Sequence, residues 1–342
     1  MKAKFLALAA LVLGLASCQT EPEGFDVVVG GEQEVTINVT LPEATRTTNA
    51  ASNVGGLSFF DDAKYDIRYI LEIYQGENLI KTRDIITSDS GSVAFPVRLV
   101  PGRDYTFVVW ADFVNNGTQA DLHYYTEDGL TNIQFQDDWT AMDETRDAYT
   151  EKLDVTNFSG SSNINMTLTR PFAKLRVVTT DIAALTAISN LPTAVQRVNY
   201  TVPVYTSFNA LTEEAFNEVN AFNTFAQYDP RGVYGDEANT LTLFTDYLLG
   251  PEDGTIQFVV ETLLADGETV VNTFNTEIPV ERNKVTTIIG DLLTDANNVK
   301  VEIENGFEQP ENTVDVWDGV SVTEPEFETD TTTGETVAVI DS

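Results

Sequence analysis

Apolar residues recur at every second position from Glu34 onward. Val35, Ile37, Val39 and Leu41 alternate with Thr36, Asn38 and Thr40. A strand sends successive side chains to opposite faces, so this period of two puts four apolar groups on one side of an extended segment. The pattern returns along most of the chain. Ile67 to Tyr74 and Leu79 to Ile86 flank Gln75-Gly76-Glu77-Asn78, which is hairpin turn chemistry. Val93 to Leu99, a turn at Pro101-Gly102-Arg103 and Tyr105 to Ala111 read as a second hairpin. Further on, Ile256 to Leu264 and Thr269 to Phe274 flank Asp266-Gly267. Ile278-Pro279-Val280 and Val285 to Gly290 then flank Glu281-Arg282-Asn283. The two halves thus repeat an architecture rather than a sequence, and the expected fold is all-β with two sandwich domains.

The join is expected near Arg170-Pro171, between the closing strand Ile164 to Leu168 and an opening strand Ala173 to Val178. An exposed joint there would admit a protease. Helix is expected only as an accessory, over Asp181 to Ile188 and over Leu211 to Phe225, where Leu211, Ala215, Val219 and Phe222 share a face. After Asn305 the chain is rich in Glu, Asp and Thr, with prolines at Pro310 and Pro325, and reads as an extended acidic tail or linker.

Cys18 is the only cysteine among 342 residues. Lys2 and Lys4 precede an apolar run from Phe5 to Leu15 that is too short to span a bilayer, and small residues lead to Leu15-Ala16-Ser17-Cys18. This order resembles the lipobox of bacterial lipoproteins, which implies acylation of Cys18, removal of residues 1–17 and an outer-membrane lipid anchor. With Cys18 so used, no disulfide supports the fold. The chain carries 54 acidic and 19 basic residues, a net charge of −35, and loss of Lys2 and Lys4 takes it to −37. Such a charge repels nucleic acid, so none is expected as a partner.

Scarcity also bounds the chemistry. His123 is the only histidine, so neither a zinc site nor a Ser-His-Asp triad has the residues it needs beyond that one side chain. Carboxylate pairs such as Asp61-Asp62, Asp137-Asp138, Asp143-Glu144 and Glu213-Glu214 are what chance gives in so acidic a chain. None forms the ligand ladder of a calcium loop. No Gly-rich phosphate loop follows a strand. No catalytic residue, metal or cofactor is expected. The aromatic group Trp110, His123, Tyr124, Tyr125, Phe135 and Trp139 reads as core packing before surface contact with sugar or protein.

In their order, several short segments resemble the fimbrillin (major fimbrial subunit, Mfa-like) lipoproteins of the Bacteroidetes. They are the Cys18 lipobox, the strand Val35 to Leu41 followed by Ala44-Thr45-Arg46-Thr47, and Gly102-Arg103-Asp104-Tyr105-Thr106-Phe107 with Trp110-Ala111-Asp112. Arg170-Pro171-Phe172-Ala173-Lys174-Leu175 and Val280-Glu281-Arg282-Asn283-Lys284-Val285-Thr286 complete the set. The resemblance implies two tandem transthyretin-like β-sandwich domains, at 18–169 and 170–305, with short accessory helices and a tail at 306–342. It also implies a non-enzymatic surface subunit or anchor of a fimbrium, supporting adhesion, that partners itself or other fimbrial subunits and contacts a host protein or glycan. Cleavage after Arg46 would release the strand carrying Val35, Ile37, Val39 and Leu41, and a strand from a neighbour would replace it. Val299 to Ile303 and Val337 to Ile340 offer matching alternation for that donor. The tail departs from a shaft subunit, which leaves a second reading, a surface glycan-binding or scaffold lipoprotein that does not polymerise. A glycoside hydrolase is a third. Asp330-Thr331-Thr332 resembles the Bacteroidetes O-glycosylation acceptor, making Thr331 a candidate.

Overall fold

The computed structural model describes residues 31–42, 64–136, 141, 143–181, 195–201, 204–219, 222–227, 241–249, 253–263, 268, 270–292, 297–305, 314–317, 327–329 and 336–338. The first half holds β1 (Gln33–Thr40), β2 (Tyr65–Gln75), β3 (Asn78–Ser88), β4 (Ser92–Leu99), β5 (Tyr105–Asn115), β6 (Tyr124–Tyr125), β7 (Ile133–Phe135), β8 (Ala148–Val155) and β9 (Asn163–Thr167). The second opens with β10 (Ala173–Thr179), β11 (Val195–Tyr200), β12 (Val204–Asn209), β13 (Glu214–Val219), β14 (Phe222–Gln227) and β15 (Leu241–Leu248). It continues with β16 (Asp253–Leu263), β17 (Val270–Glu281), β18 (Lys284–Asp291) and β19 (Asn297–Asn305). Short strands β20 (Val314–Trp317), β21 (Phe327–Thr329) and β22 (Thr336–Ala338) follow. The fold is all-β. Among the described residues the only helical piece is one 3-10 turn at Glu144–Arg146.

Two sandwiches repeat one strand order. In the first, sheet β4-β1-β9 covers sheet β3-β2-β5-β8; in the second, β15-β10-β18-β19-β20 covers β14-β11-β16-β17. β1 runs antiparallel to β4 and parallel to β9, and β10 stands in the same relation to β15 and β18. Alternation explains the cores. Val35, Ile37, Phe95, Tyr69, Leu71 and Phe107 interlock between the first two sheets, and Leu175, Val177, Phe244, Phe258 and Ile288 between the second two. Proline falls where a missing N–H is harmless. Pro96 lies in β4 and Pro279 in β17, both edge strands.

The β2–β3 hairpin forms where its turn chemistry places it, with Gly76 at a φ of 59° that a side chain would oppose. The β16–β17 hairpin also forms. The other two expected hairpins do not. β4 pairs with β1 while β5 pairs with β2 and β8, so Pro101-Gly102 carries the chain from one sheet to the other. Arg282-Asn283 does the same between β17 and β18, which lie in different sheets. The repeat is therefore real but offset: β16–β17 corresponds to β5–β8, not to β2–β3.

The expected helix over Leu211 to Phe225 is replaced by β13 and β14. Glu213 and Asn217 adopt φ of 60° and 59°, which a helix excludes, and β13 satisfies its backbone on β12 (Phe208↔Ala215). The apolar spacing there serves two different sheets. Of Asp181 to Ile188 only Asp181 lies among the described residues. In the tail, Val314 to Trp317 adds to β19 as an edge strand, and among the described residues β21 and β22 pair only with each other.

A third core locks the halves together. Ile70, Val108 and Trp110 on the outer face of β2 and β5 meet Phe172, Phe208 and Tyr247. This explains why β2 and β5 are buried on both faces. A small sheet, β13-β12-β7-β6, mixes strands of both halves. The joint is consequently not an exposed linker. Arg170 and Phe172 are buried, Asn283 N–H donates to Phe172 O at 2.7 Å, and Arg170 N–H donates to Asn283 Oδ1 at 3.2 Å.

Candidate functional site

β1 is the first described strand and it sits in the middle of its sheet, not at an edge. Its ladder to β4 is continuous from Gln33↔Leu99 to Thr40↔Ser92, and its ladder to β9 runs from Thr36↔Asn163 to Thr40↔Thr167. Bonds beyond the ladder extend the grip. Leu41 N–H donates to Gly91 O, Thr36 N–H to Ser162 O and Leu168 N–H to Thr40 O, each at 2.9 Å.

The side chains divide by parity. Val35, Ile37, Val39 and Leu41 are 0–3% exposed and enter the first core. Their burial contributes about 6–12 kcal/mol, at about 1.5–3 kcal/mol for each side chain removed from water. The opposite face holds little. Asn38 Nδ2 donates to Asn165 Oδ1 at 2.9 Å and Arg98 meets Glu34 at 3.1 Å, both in solvent. Apolar burial and two backbone ladders therefore retain this strand. Its loss would open a groove lined by the inner face of β2 and β5, with two unpaired edges.

Residues 43–63 join β1 to β2 along the chain, and Arg46 lies in that segment. Arg46, Cys18, Thr331 and Trp139 lie outside the described residues. So do Asp61-Asp62 and Asp137-Asp138.

His123 takes part in a local hydrogen-bond chain. It is buried, with Nε2 2.7 Å from Thr145 Oγ1, and that hydroxyl donates to Asp143 Oδ1 at 2.5 Å. Trp110 and Tyr124 are fully buried and stack edge to face at 5.3 Å, whereas Tyr125 is exposed. Among the described residues, no group of three or more His, Cys, Asp or Glu is placed to hold a metal.

Sequence reasoning missed a set of buried charges. Arg68 on β2 donates to both oxygens of Asp112 on β5, at 2.9 and 2.6 Å, and to Asp121 at 2.6 Å. Burial alone would lower the Arg68 guanidinium, but the charges and hydrogen bonds of Asp112 and Asp121 outweigh it and hold it above its ordinary value. Glu72 is buried beside them, taking hydrogen bonds from Tyr74 Oη and from Leu130 N–H at 3.2 Å. Burial pushes the Tyr74 phenol up, aided by Glu72, so it stays a donor. The available signal was Arg68 and Glu72 standing inside the otherwise apolar run Ile67 to Tyr74.

A family model described as "Family of unknown function (DUF6562)" matches residues 26–336. No curated protein matches the chain. Among solved structures, the chain is similar to a fimbrial assembly protein from Parabacteroides distasonis, with 12% identity and a TM-score of 0.41 over 83% of this chain and 99% of that one. It is also similar to a candidate cell adhesion protein from Bacteroides eggerthii, at 13% identity and a TM-score of 0.38 over 86% and 97%. Candidate polysaccharide binding proteins (DUF1812) from Bacteroides thetaiotaomicron share 12% identity at a TM-score of 0.45, over 81% and 99%.

Proposed function

We propose that this chain, which belongs to the family of unknown function DUF6562, is a non-enzymatic, lipid-anchored cell-surface subunit that joins its neighbours by exchanging β1. The observation that carries this reading is the placement of β1. It is first in the described chain and central in its sheet, retained by four buried apolar groups and connected onward through a segment containing Arg46. Cleavage after Arg46 would leave the strand held by noncovalent contacts alone, and the vacated groove would take an extended strand from a second molecule.

The donor is best sought at the C-terminus. Val299 to Ile303 lies within β19, paired on both sides and with Val301 fully buried, so it cannot leave without opening the second sandwich. Among the described residues β22 pairs only with β21, and a lone two-stranded hairpin is marginal in water. Val337 to Ile340 is therefore the donor, and Cys18 is the lipid anchor that holds the assembly at the outer membrane.

Brief trypsin treatment of the full chain tests the exchange, with Arg46→Ala as control. The reading expects a cut after Arg46, release of β1 and oligomers on native gels or in electron micrographs. Oligomers that form equally without a cut, or a clean cut that leaves monomers, would refute exchange and favour a scaffold that does not polymerise. Fatty-acid labelling that fails to mark Cys18 would remove the anchor.

A further inference from the structure

The small sheet β13-β12-β7-β6 has two faces of different character. Ile133 pairs with Phe208 and Phe208 with Ala215, and this row faces inward, onto the third core. The neighbouring row takes the other face. Tyr125 pairs with Gln134, Gln134 with Ser207 and Ser207 with Phe216. Paired residues share a face and successive ones alternate, so Tyr205, Asn209 and Glu214 lie on the outer face as well. Tyr125 is 49% exposed, and Tyr205 and Phe216 are partly buried. The outer face thus interleaves flat aromatic rings with amides and a carboxylate, on strands drawn from both halves.

Part of this face lines a cleft of about 960 Å³, together with Asn132, Glu213 and Arg282. The lining is held in place before any ligand arrives. Arg282 Nη2 donates to Glu213 O at 2.7 Å, and its guanidinium sits 5.5 Å over the Phe208 ring. Asn209 Oδ1 accepts from the Leu211 and Thr212 N–H groups at 2.9 and 3.1 Å, which fixes the turn leading to Glu213. Tyr205 Oη donates to Glu218 Oε1 at 3.2 Å. A site ordered in advance loses less entropy on binding.

The lining also selects a chemistry. Aromatic rings offer apolar faces to C–H groups, while amides, carboxylates and a guanidinium supply directed partners for hydroxyls. A sugar ring carries both, with C–H groups on its faces and hydroxyls around its rim. A protein partner fits less well, because the centre of a protein interface is depleted of charge and this cleft holds Glu213, Glu214 and Arg282. Two carboxylates against one guanidinium leave the cleft net negative, which disfavours acidic sugars. We propose that the cleft and the row from Tyr125 to Phe216 bind a neutral oligosaccharide. The site uses no residue of β1 and is tested on the uncut chain, so its failure and the failure of strand exchange are distinguishable.

The full chain carrying Arg46→Ala is offered immobilised short oligomers of glucose, mannose, galactose and N-acetylglucosamine. Oligogalacturonate serves as the anionic arm and a lysine-rich peptide as the protein arm. At least one neutral oligomer is expected to bind, and oligogalacturonate at least about tenfold more weakly. Phe216→Ala and Glu214→Ala should each weaken binding about tenfold, through loss of a stacking face and of a hydrogen-bond acceptor. Glu214 is exposed, so its variant should melt like the wild type and carries the test if Phe216→Ala does not fold. Failure of every neutral oligomer to bind the folded chain would overturn the proposal. So would binding that survives both variants, tighter binding of oligogalacturonate, or capture of the peptide alone.

Discussion

Arg170 holds the carboxylate of Asp147 in a two-pronged grip inside the protein. Nε lies 2.8 and 2.9 Å from the two oxygens and Nη2 lies 2.8 Å from Oδ2. Both residues are buried, Nη2 also donates to Tyr149 Oη at 3.1 Å, and the guanidinium stacks 4.7 Å over the Tyr149 ring. Burial would lower the Arg170 guanidinium, but the Asp147 charge outweighs it and holds it above its ordinary value. Asp147 directly precedes β8 and Arg170 stands between β9 and β10, so the pair fixes the chain where one sandwich passes into the next.

Arg170→Ala leaves the Asp147 carboxylate buried without its partner. It is expected to destabilise by about 3–5 kcal/mol, read from the urea midpoint. The double variant with Asp147→Ala should lose less than the sum of the two single losses, since neither charge is then stranded.

The joint should resist protease. Arg146, Lys174 and Arg176 are at most 5% exposed, so trypsin is expected to pass over all three while the chain stays folded. Mass spectrometry of early fragments checks this, and a first cut after Lys174 would show that the third core is open in solution.

On β1 the two faces should respond differently. Ile37→Ala opens a cavity in the first core and is expected to cost about 2–5 kcal/mol. Asn38→Ala removes one solvent-exposed bond and should stay within about 0.5 kcal/mol. Denaturant unfolding of both variants measures the contrast. After cleavage at Arg46, Ile37→Ala should also release β1 faster than the wild type.

Glu151 on β8 gives a pH signature. Burial, with the charge of Glu213, holds its carboxyl above the ordinary value, so the folded state favours the protonated form. Its contribution is therefore present below the unfolded value and lost as the pH rises through the folded one. Glu151→Gln should stabilise by about 0.5 kcal/mol at pH 7, a figure kept small by solvent screening. The gain should vanish below about pH 4, where the unfolded carboxyl is also protonated. Thermal melts at the two pH values check both arms.

The alternation in Val35 to Leu41, the Gly76 turn and the break at Pro171 were enough to specify an all-β chain of two sandwiches and to single out β1. These are local properties: which way a side chain points depends on its own strand, and a turn depends on its own residues. Arg282-Asn283 and Pro101-Gly102 were legible as turns but not as crossings between sheets, because a turn sequence does not say which strand its arms will meet. Leu211 to Phe225 failed for a related reason. Its apolar spacing fits one helix face, but Ala215 and Phe222 lie in separate sheets, a choice made by their pairing with β12 and β11. The pairings Arg68–Asp112 and Arg170–Asp147 and the shared core around Trp110 and Phe172 arise between segments far apart in the chain. Pattern determined the elements; the burial of surfaces against one another determined their partners, because only packing decides which charges and edges water can still reach.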